Sequence, residues 1–274
     1  MLSPIQHLPA NFQLGPLEVT GFGLAVLAAF AISQIICQRE LWRRGFDKEA
    51  DAIPDIVLAA LVGTLIGAKT YYVVLTGDPG AFLSRGGFVF WGGFMGAVAL
   101  CWAVIKAKKL NFLRIADVAG IAIAAGYSVG RTGCWAVGDD YGRPWNGFLA
   151  TQFPEGAPPS TVSVMSSQFG VTFPAGTNPM DVVAVHPTQL YETLMGFIMF
   201  LVVWNLRKHT NKEGWLFGVY CIVAGVERFI VEFFRAKDDA LTVGLTTAQI
   251  IAITIFTIGV GLIVSRRRPV PAAT

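Results

Sequence analysis

The sequence predicts an all-α integral membrane protein with about seven transmembrane helices and a loop-rich segment outside the bilayer. Hydrophobic residues make up 54% of the 274 residues and charged residues only 14%, whereas water-soluble domains carry about 25% charged residues. Uncharged apolar runs also recur at the length of roughly 20 residues that crosses the hydrocarbon layer. These observations disfavour a soluble enzyme, and the net charge of +3 is too small to indicate nucleic-acid binding.

The spans are placed by apolar runs that end at charged residues. The predicted spans cover residues 17–38, 53–75, 88–105, 115–130, 188–206, 215–235 and 246–264. The segment 131–185 differs because it contains six prolines and many Ser, Thr and Gly residues. Irregular backbone cannot face lipid, so we expect this segment to lie outside the membrane or at its interface, within a single polytopic domain of residues 1–274.

The basic residues predict the orientation of the chain. Fourteen of the 21 Lys and Arg residues follow the first, third, fifth and seventh spans. Basic loops face the cytoplasm, so an odd number of spans leaves the N-terminus and the 131–185 segment outside, with the C-terminus in the cytoplasm. The first basic residue is Arg39, which favours a retained first span over a cleaved signal peptide.

The cysteines give no sign of a metal centre or a disulfide framework. The four thiols lie far apart and lack CxxC spacing. We therefore predict no metal and no cofactor.

Span 215–235 ends in a run with unusual charge. An ionisable group inside a span costs roughly 2.5–3.5 kcal/mol on insertion scales, and here Arg228, Glu232 and Arg235 have the i, i+4, i+7 spacing of one helical face. This stripe has one positive charge in excess, which would hold Arg228 ready for an anionic headgroup. The alternative is an ion-pair ladder that joins this helix to a neighbour.

A second cluster, residues 130–143, combines four glycines with two arginines and two aspartates. Glycine-rich backbone permits tight bends and close approach to a ligand, and amide groups beside a planar guanidinium both donate to phosphate oxygens. This pattern predicts a phosphate site, and the alternative is an ordinary surface turn after the fourth span.

A third cluster, His-Pro-Thr-Gln-Leu-Tyr-Glu at 186–192, stands at the start of the fifth span. Pro187 suits the first turn of a helix. His186 is either a proton acceptor near neutral pH or a hydrogen-bond donor at the helix start. A fourth cluster, with Gly92 and Gly93 after Trp91, is weak alone because it also fits an aromatic belt.

Together the four clusters resemble the prolipoprotein diacylglyceryl transferase family. The resemblance rests on GR-x-G-x(4)-G-D-x-x-G-R at 130–143, HP-T-QLYE at 186–192 and R-x-IVEFFR at 228–235. It implies a multi-pass enzyme of the bacterial inner membrane that binds phosphatidylglycerol within the membrane lipid. The enzyme would transfer the diacylglyceryl group to the lipobox cysteine thiol in the signal peptide of a preprolipoprotein.

The resemblance also implies roles for individual residues. Arg131 and Arg228 would be the phosphate-side cations, with carboxylates that fix them and glycines that complete the site. The substrate-binding positions carried over by this match are Gly92, Gly93, Asp139, Gly142, Arg143, Gln189, Tyr191, Glu192, Glu232 and Arg235.

The chain departs from the family pattern at the position that usually holds a histidine, which is Trp91 here. The obvious base for the substrate thiol is thereby missing, and His186 is a candidate replacement. The alternative function is a non-catalytic lipid-binding paralogue that keeps the headgroup pocket. A transporter is a weaker option, since paired broken helices and repeat symmetry are not evident.

Overall fold

The computed structural model describes residues 3–15, 17–84, 87–236 and 244–268. It is mostly helical, as predicted. The helices are α1 (Gly21–Arg43), α2 (Asp47–Thr76), α3 (Phe90–Ala107), α4 (Phe112–Val137), α5 (Val162–Phe169), α6 (Thr188–Leu206), α7 (Trp215–Val231) and α8 (Thr247–Arg266). The strands are β1 (Ile5–Gln6), β2 (Asn11–Leu14), β3 (Leu17–Thr20), β4 (Thr151–Gln152) and β5 (Ala184–Val185).

Six helices of the described residues are long and apolar enough to cross a membrane: α1, α2, α3, α4, α6 and α8. This confirms an all-α, multi-pass membrane protein. Helix α7 stands at the remaining predicted position, but it has 17 residues and ends at Val231 instead of 235. The first span also begins later than predicted, because Leu17–Thr20 pairs with β2 as a hairpin before α1 starts at Gly21.

The chain divides into two compact units, the first comprising Met1–Ser33 with Gly120–Thr274 and the second Gln34–Ala119. In the second unit α2 and α3 pack at glycines. A Cβ atom on Gly63 would lie 2.5 Å from the carbonyl oxygen of Gly96, and one on Gly67 would lie 2.2 Å from that of Gly92. Small residues allow helix backbones to approach this closely in membranes, so these glycines serve the packing of α2 on α3.

Basic loops that are predicted to share one side of the membrane contact each other within each unit. In the second unit Arg114 forms an ion pair with Glu49, which joins the first turn of α4 to the first turn of α2. In the first unit the backbone amide of Lys212 donates to the carbonyl oxygen of Arg266 at 3.0 Å. Each contact joins two of the loops that the positive-inside rule assigns to one side.

In the first unit α4 packs against α6, and α7 against α8. Gly196 on α6 lies against Tyr127 and Ser128 of α4, and the Ser128 hydroxyl donates to the carbonyl oxygen of Thr193 at 2.8 Å. Helices α7 and α8 meet where Gly218 lies against Gly259. Gly120 on α4 lies against Tyr220 on α7, so α4 contacts both α6 and α7.

The loop-rich segment is shorter than predicted and has a hydrophobic core of its own. Helix α4 continues to Val137, so residues 131–137 are helical and the segment begins at Gly138. It contains β4, α5 and β5, and β1 joins β4 in a three-stranded sheet with the order β1-β4-β5. The core cluster consists of Tyr141, Phe153, Met165, Val185 and Ala236. Tyr141 anchors the stretch that follows α4 in this core.

We predict that Gly67→Ala destabilises the protein, because the added methyl group would meet the Gly92 carbonyl oxygen. Overpacking typically costs 1–3 kcal/mol. The measurement is the thermal unfolding midpoint in detergent. The control is Gly261→Ala on α8, where a Cβ atom meets nothing within 4 Å, and it should leave the midpoint unchanged or slightly higher. Equal midpoints for the two variants would contradict close packing of α2 on α3.

Candidate functional site

Arg131 lies on the last turns of α4, where it bonds two carboxylates. Its Nη1 is 2.8 Å from Oδ2 of Asp140, and its Nη2 is 3.1 Å from Oε1 of Glu192. Glu192 is completely buried. A buried charge without a partner is strongly unfavourable, so the guanidinium and the Glu192 carboxylate require each other.

Arg235, which follows α7, binds the same two carboxylates. Its Nη2 is 2.9 Å from Oδ1 of Asp140 and its Nη1 is 3.4 Å from Oε1 of Glu192. The arrangement is not the helical stripe predicted from the i, i+7 spacing, because α7 ends at Val231 and Glu232–Phe234 form a turn. That turn directs Arg235 toward α4 and α6.

Arg228 is the third arginine of the site. Its Nη2 is 2.7 Å from Oε2 of Glu232, which is the predicted i, i+4 ion pair. The Nη1 of Arg228 is buried and has no hydrogen-bond partner among the described residues. The Arg228 charge also interacts with Glu192, so the three arginines belong to one cluster.

We call this set the arginine–carboxylate cluster. It consists of Arg131, Arg228, Arg235, Asp140, Glu192 and Glu232. Three positive charges face three negative charges, so the excess positive charge expected from the α7 stripe alone is cancelled by carboxylates from elsewhere in the chain. Arg228 keeps an unpaired donor, and its side chain is 29% exposed.

Asp140 was missed by the sequence reasoning, which chose its neighbour Asp139. Helix α4 ends with Gly138 at φ 70°, and the Asp139 amide donates to the Cys134 carbonyl oxygen at 3.1 Å, as in a Schellman C-cap. Asp140 follows at φ 55°, a left-handed conformation that Asp adopts more readily than most residues. This turn sends the side chain of Asp140, and not that of Asp139, to the arginines.

Asp139 is fixed by a hydrogen bond to its backbone carbonyl oxygen. Gln189 donates its side-chain amide to the Asp139 carbonyl oxygen, and the Thr188 hydroxyl donates to that of Asp140 at 2.6 Å. Gln189 and Thr188 are completely buried. The predicted substrate-binding residue Gln189 therefore positions the Asp139–Asp140 turn. Burial, together with the negative charge of Asp140, raises the pKa of the Asp139 carboxyl group to about 6.

Backbone hydrogen bonds join the three sequence motifs. The amide of Gly142 donates to the His186 carbonyl oxygen and that of Arg143 to the Phe234 carbonyl oxygen, both at 2.9 Å. A Cβ atom on Gly142 would lie 2.3 Å from the Phe234 carbonyl oxygen, so only glycine fits. The Arg143 Nε donates to the Arg235 carbonyl oxygen at 2.9 Å. Gly142 and Arg143 thus fix the backbone of Arg235.

His186 lies in an aromatic group beside the cluster. Its ring stacks on Trp145 at a centroid distance of 4.3 Å, and its Nδ1 is 3.2 Å from the hydroxyl of Tyr191. Burial lowers the pKa of His186, which favours the neutral ring. The backbone amide of His186 donates to the Arg143 carbonyl oxygen at 3.0 Å, a contact that does not depend on the side chain. A role as thiol base stays a prediction.

Gly92 and Gly93 belong to the second unit and contact α2. A Cβ atom on Gly92 would lie 2.3 Å from Cβ of Tyr71, and one on Gly93 would lie 3.2 Å from Cγ2 of Thr64. Trp91 is 46% exposed. These contacts give both glycines a packing role, and their part in substrate binding stays a prediction.

Another buried acid adjoins the cluster. Glu227 on α7 accepts a hydrogen bond from the hydroxyl of Tyr127 on α4 at 2.9 Å, and Glu227 is 6% exposed. The guanidinium of Arg131 lies 5.4 Å from the centre of the same tyrosine ring. The sequence marks Glu227 as an ionisable residue in a span, but Tyr127 has no sequence signal that distinguishes it from a packing residue.

A cavity of about 300 Å³ opens beside Asp140 and Arg235, and residues such as Tyr141 and Phe169 of the loop-rich segment form its far wall. Cys134, Asp139 and Asp140 also place possible metal-ligand atoms within 4.8 Å of one another. Both oxygens of Asp140 already accept from arginines, and two adjacent guanidiniums repel a cation. The arrangement fits an anion better than a metal ion.

The prolipoprotein diacylglyceryl transferase family model matches residues 9–265. This chain belongs to that family. It is 30% identical to a phosphatidylglycerol–prolipoprotein diacylglyceryl transferase of Lysinibacillus sphaericus, over 98% of this chain and 96% of the relative. Proteins with the same name from Xanthomonas oryzae pv. oryzae and Chlorobaculum tepidum are 28% and 27% identical, over 96% and 94% of this chain and 92% and 91% of the relatives.

The raised pKa of Asp139 predicts a pH-dependent cost to stability. The folded protein binds a proton more tightly here than the unfolded chain, so stability falls as pH rises from about 4 toward 6. Asp139→Asn removes this cost. We expect its unfolding midpoint to exceed that of the wild type by more at pH 7.5 than at pH 4.5. A midpoint difference that is constant with pH would contradict the shifted pKa.

Proposed function

We propose that this protein transfers the diacylglyceryl group of phosphatidylglycerol to the lipobox cysteine thiol of a preprolipoprotein. Family membership and the names of the relatives support the reaction. The observation that carries the proposal is the arginine–carboxylate cluster, in which Arg228 retains an unpaired buried donor. A non-catalytic lipid-binding role is not favoured, because the relatives are named as transferases.

The chemistry requires stabilisation of a leaving phosphate. The thiol sulfur attacks the carbon of the diacylglyceryl group that is bonded to a phosphate oxygen. The bond between that carbon and the oxygen breaks, and the headgroup leaves as glycerol phosphate. Donors that are fixed before the reaction and directed at the developing charge give the largest catalytic effect in many enzymes. Arg228 would supply its unpaired Nη1, while carboxylates of fixed position hold Arg131 and Arg235 in place around the phosphate.

The cavity beside Arg235 is large enough for the polar part of a substrate. Its volume of about 300 Å³ is at the lower end of small-molecule sites. Asp140 and Arg235 border both this cavity and the cluster. The cavity would accept the glycerol part of the headgroup, because carboxylate and guanidinium groups bind hydroxyl groups well.

The protein would lie in the bacterial inner membrane with its N-terminus outside and its C-terminus in the cytoplasm. The basic loops support this orientation, as do the contacts that join them in pairs. It places Gly138–Val185 and the ends of α4, α6 and α7 at the outer face. Acceptor and lipid donor would then meet in the outer leaflet.

We predict that Arg131→Ala and Arg228→Ala each lower transfer at least 100-fold, since removal of one such donor typically costs a factor of 10²–10³. The assay is the mass gain of a lipobox peptide incubated with purified protein and phosphatidylglycerol. Arg39→Ala is the control, because Arg39 is exposed on α1 and outside the cluster; it should keep full activity. Full activity of Arg228→Ala would exclude the phosphate role.

The orientation is tested by thiol labelling of whole cells. A cysteine at the exposed Ser166 on α5 should react with an impermeant reagent added from outside, while one at the exposed Ala107, where α3 ends, should react only after permeabilisation. The wild type, whose four cysteines are buried or half-buried, gives the background. The reverse labelling pattern would invert the topology and place the cluster in the inner leaflet.

A further inference from the structure

Transfer to a thiol needs a group that accepts the thiol proton, and Trp91, which begins the Trp-Gly-Gly cluster of α3, does not supply one. An indole ring has no basic nitrogen. His186 is held in an aromatic group by Trp145 and Tyr191. The remaining candidates are carboxylates near Arg131 and Arg228.

Most of those carboxylates are already bound to arginines. Asp140, Glu192 and Glu232 each form at least one ion pair within the described residues. An ion-paired carboxylate is a poor base, because protonation would break its salt bridge. Two carboxylates near these arginines are not ion-paired in the part of the chain that the structure describes. Asp139 lies beside the Cys134 thiol, whereas Glu227 accepts a hydrogen bond from the neutral hydroxyl of Tyr127 at 2.9 Å, which fixes its orientation.

Glu227 lies within the electrostatic reach of the cluster. The charged or titratable groups that face it are Tyr127 and Arg131 from α4, Glu192 from α6 and the adjacent Arg228 on α7. Helix α8 packs against α7 with no titratable residue before Arg266 at its end. A carboxylate that is only 6% exposed on the apolar helix α7 is unfavourable unless its surroundings compensate the charge, which argues for a functional role.

We propose that Glu227, positioned by Tyr127, is the general base for the acceptor thiol. This inference rests on the proposed function. The thiol proton moves to the Glu227 carboxylate as the sulfur forms its bond to the glycerol carbon. The electron pair of the broken carbon–oxygen bond goes to the phosphate. Glu227 then returns the proton to the departing glycerol phosphate, so the carboxylate is regenerated.

Tyr127 links the base to the phosphate-side cation. Its hydroxyl orients Glu227 and the face of its ring lies 5.4 Å from the Arg131 guanidinium, a cation–π distance. Tyr127 is thus a positioning residue. The Glu227 carboxylate thus meets the hydroxyl end of the tyrosine, while the Arg131 guanidinium lies over the ring.

The test is the pH profile of Glu227→Gln. Glutamine keeps the shape and the oxygen that accepts from Tyr127, but it takes no proton at these pH values. At pH 7 we expect kcat to fall at least 100-fold, within the 10²–10⁴ range of general-base catalysis, with KM for phosphatidylglycerol unchanged within about threefold. The variant rate should then rise about tenfold per pH unit toward the thiol pKa of about 8.5, because the thiolate forms without help.

Tyr127→Phe separates positioning from proton transfer. It keeps the ring beside Arg131 and removes only the hydroxyl group, so we expect a smaller loss of kcat and a wild-type KM. Wild-type kcat in Glu227→Gln, or a loss that does not recover at alkaline pH, would overturn the proposed base. A wild type that transfers nothing to the peptide would instead overturn the proposed function and the base with it.

Discussion

The structure of the site depends on one shared carboxylate. Glu192 is completely buried and lies between the guanidiniums of Arg131 and Arg235. Loss of either arginine would leave charge uncompensated at low dielectric, which is among the costlier defects a protein core can contain. The end of α4, the first turns of α6 and the turn after α7 are therefore fixed relative to one another by charge as well as by packing.

The segments around this carboxylate explain why three distant motifs act as one. The Schellman cap at Gly138 turns Asp140 toward the arginines, and buried Thr188 and Gln189 hold the carbonyl oxygens of that turn. Gly142 lets the backbone approach Phe234 and so brings Arg235 to the cluster. Residues that resemble ligand contacts in the sequence thus serve largely to hold the charged groups in position.

The spans and the Arg228–Glu232 pair follow from the sequence, because hydropathy and helical spacing are local properties. The partners of Arg235 do not, since they depend on α7 ending at Val231, and no strong helix-stop signal marks that residue. The choice between Asp139 and Asp140 depends on a backbone angle that two adjacent aspartates do not reveal. The contact of Tyr127 with Glu227 becomes evident only once α4 and α7 are packed together.

The equal numbers of arginines and carboxylates have a consequence for how the site meets its lipid. Because its charges balance, the cluster has no surplus positive field to attract an anion from a distance, and the buried Nη1 of Arg228 is a donor without a partner among the described residues. At physiological ionic strength salt largely screens exposed charges that are more than about 8 Å apart, but it has much less effect on buried pairs. Anion binding at this buried cluster should therefore depend only weakly on salt concentration.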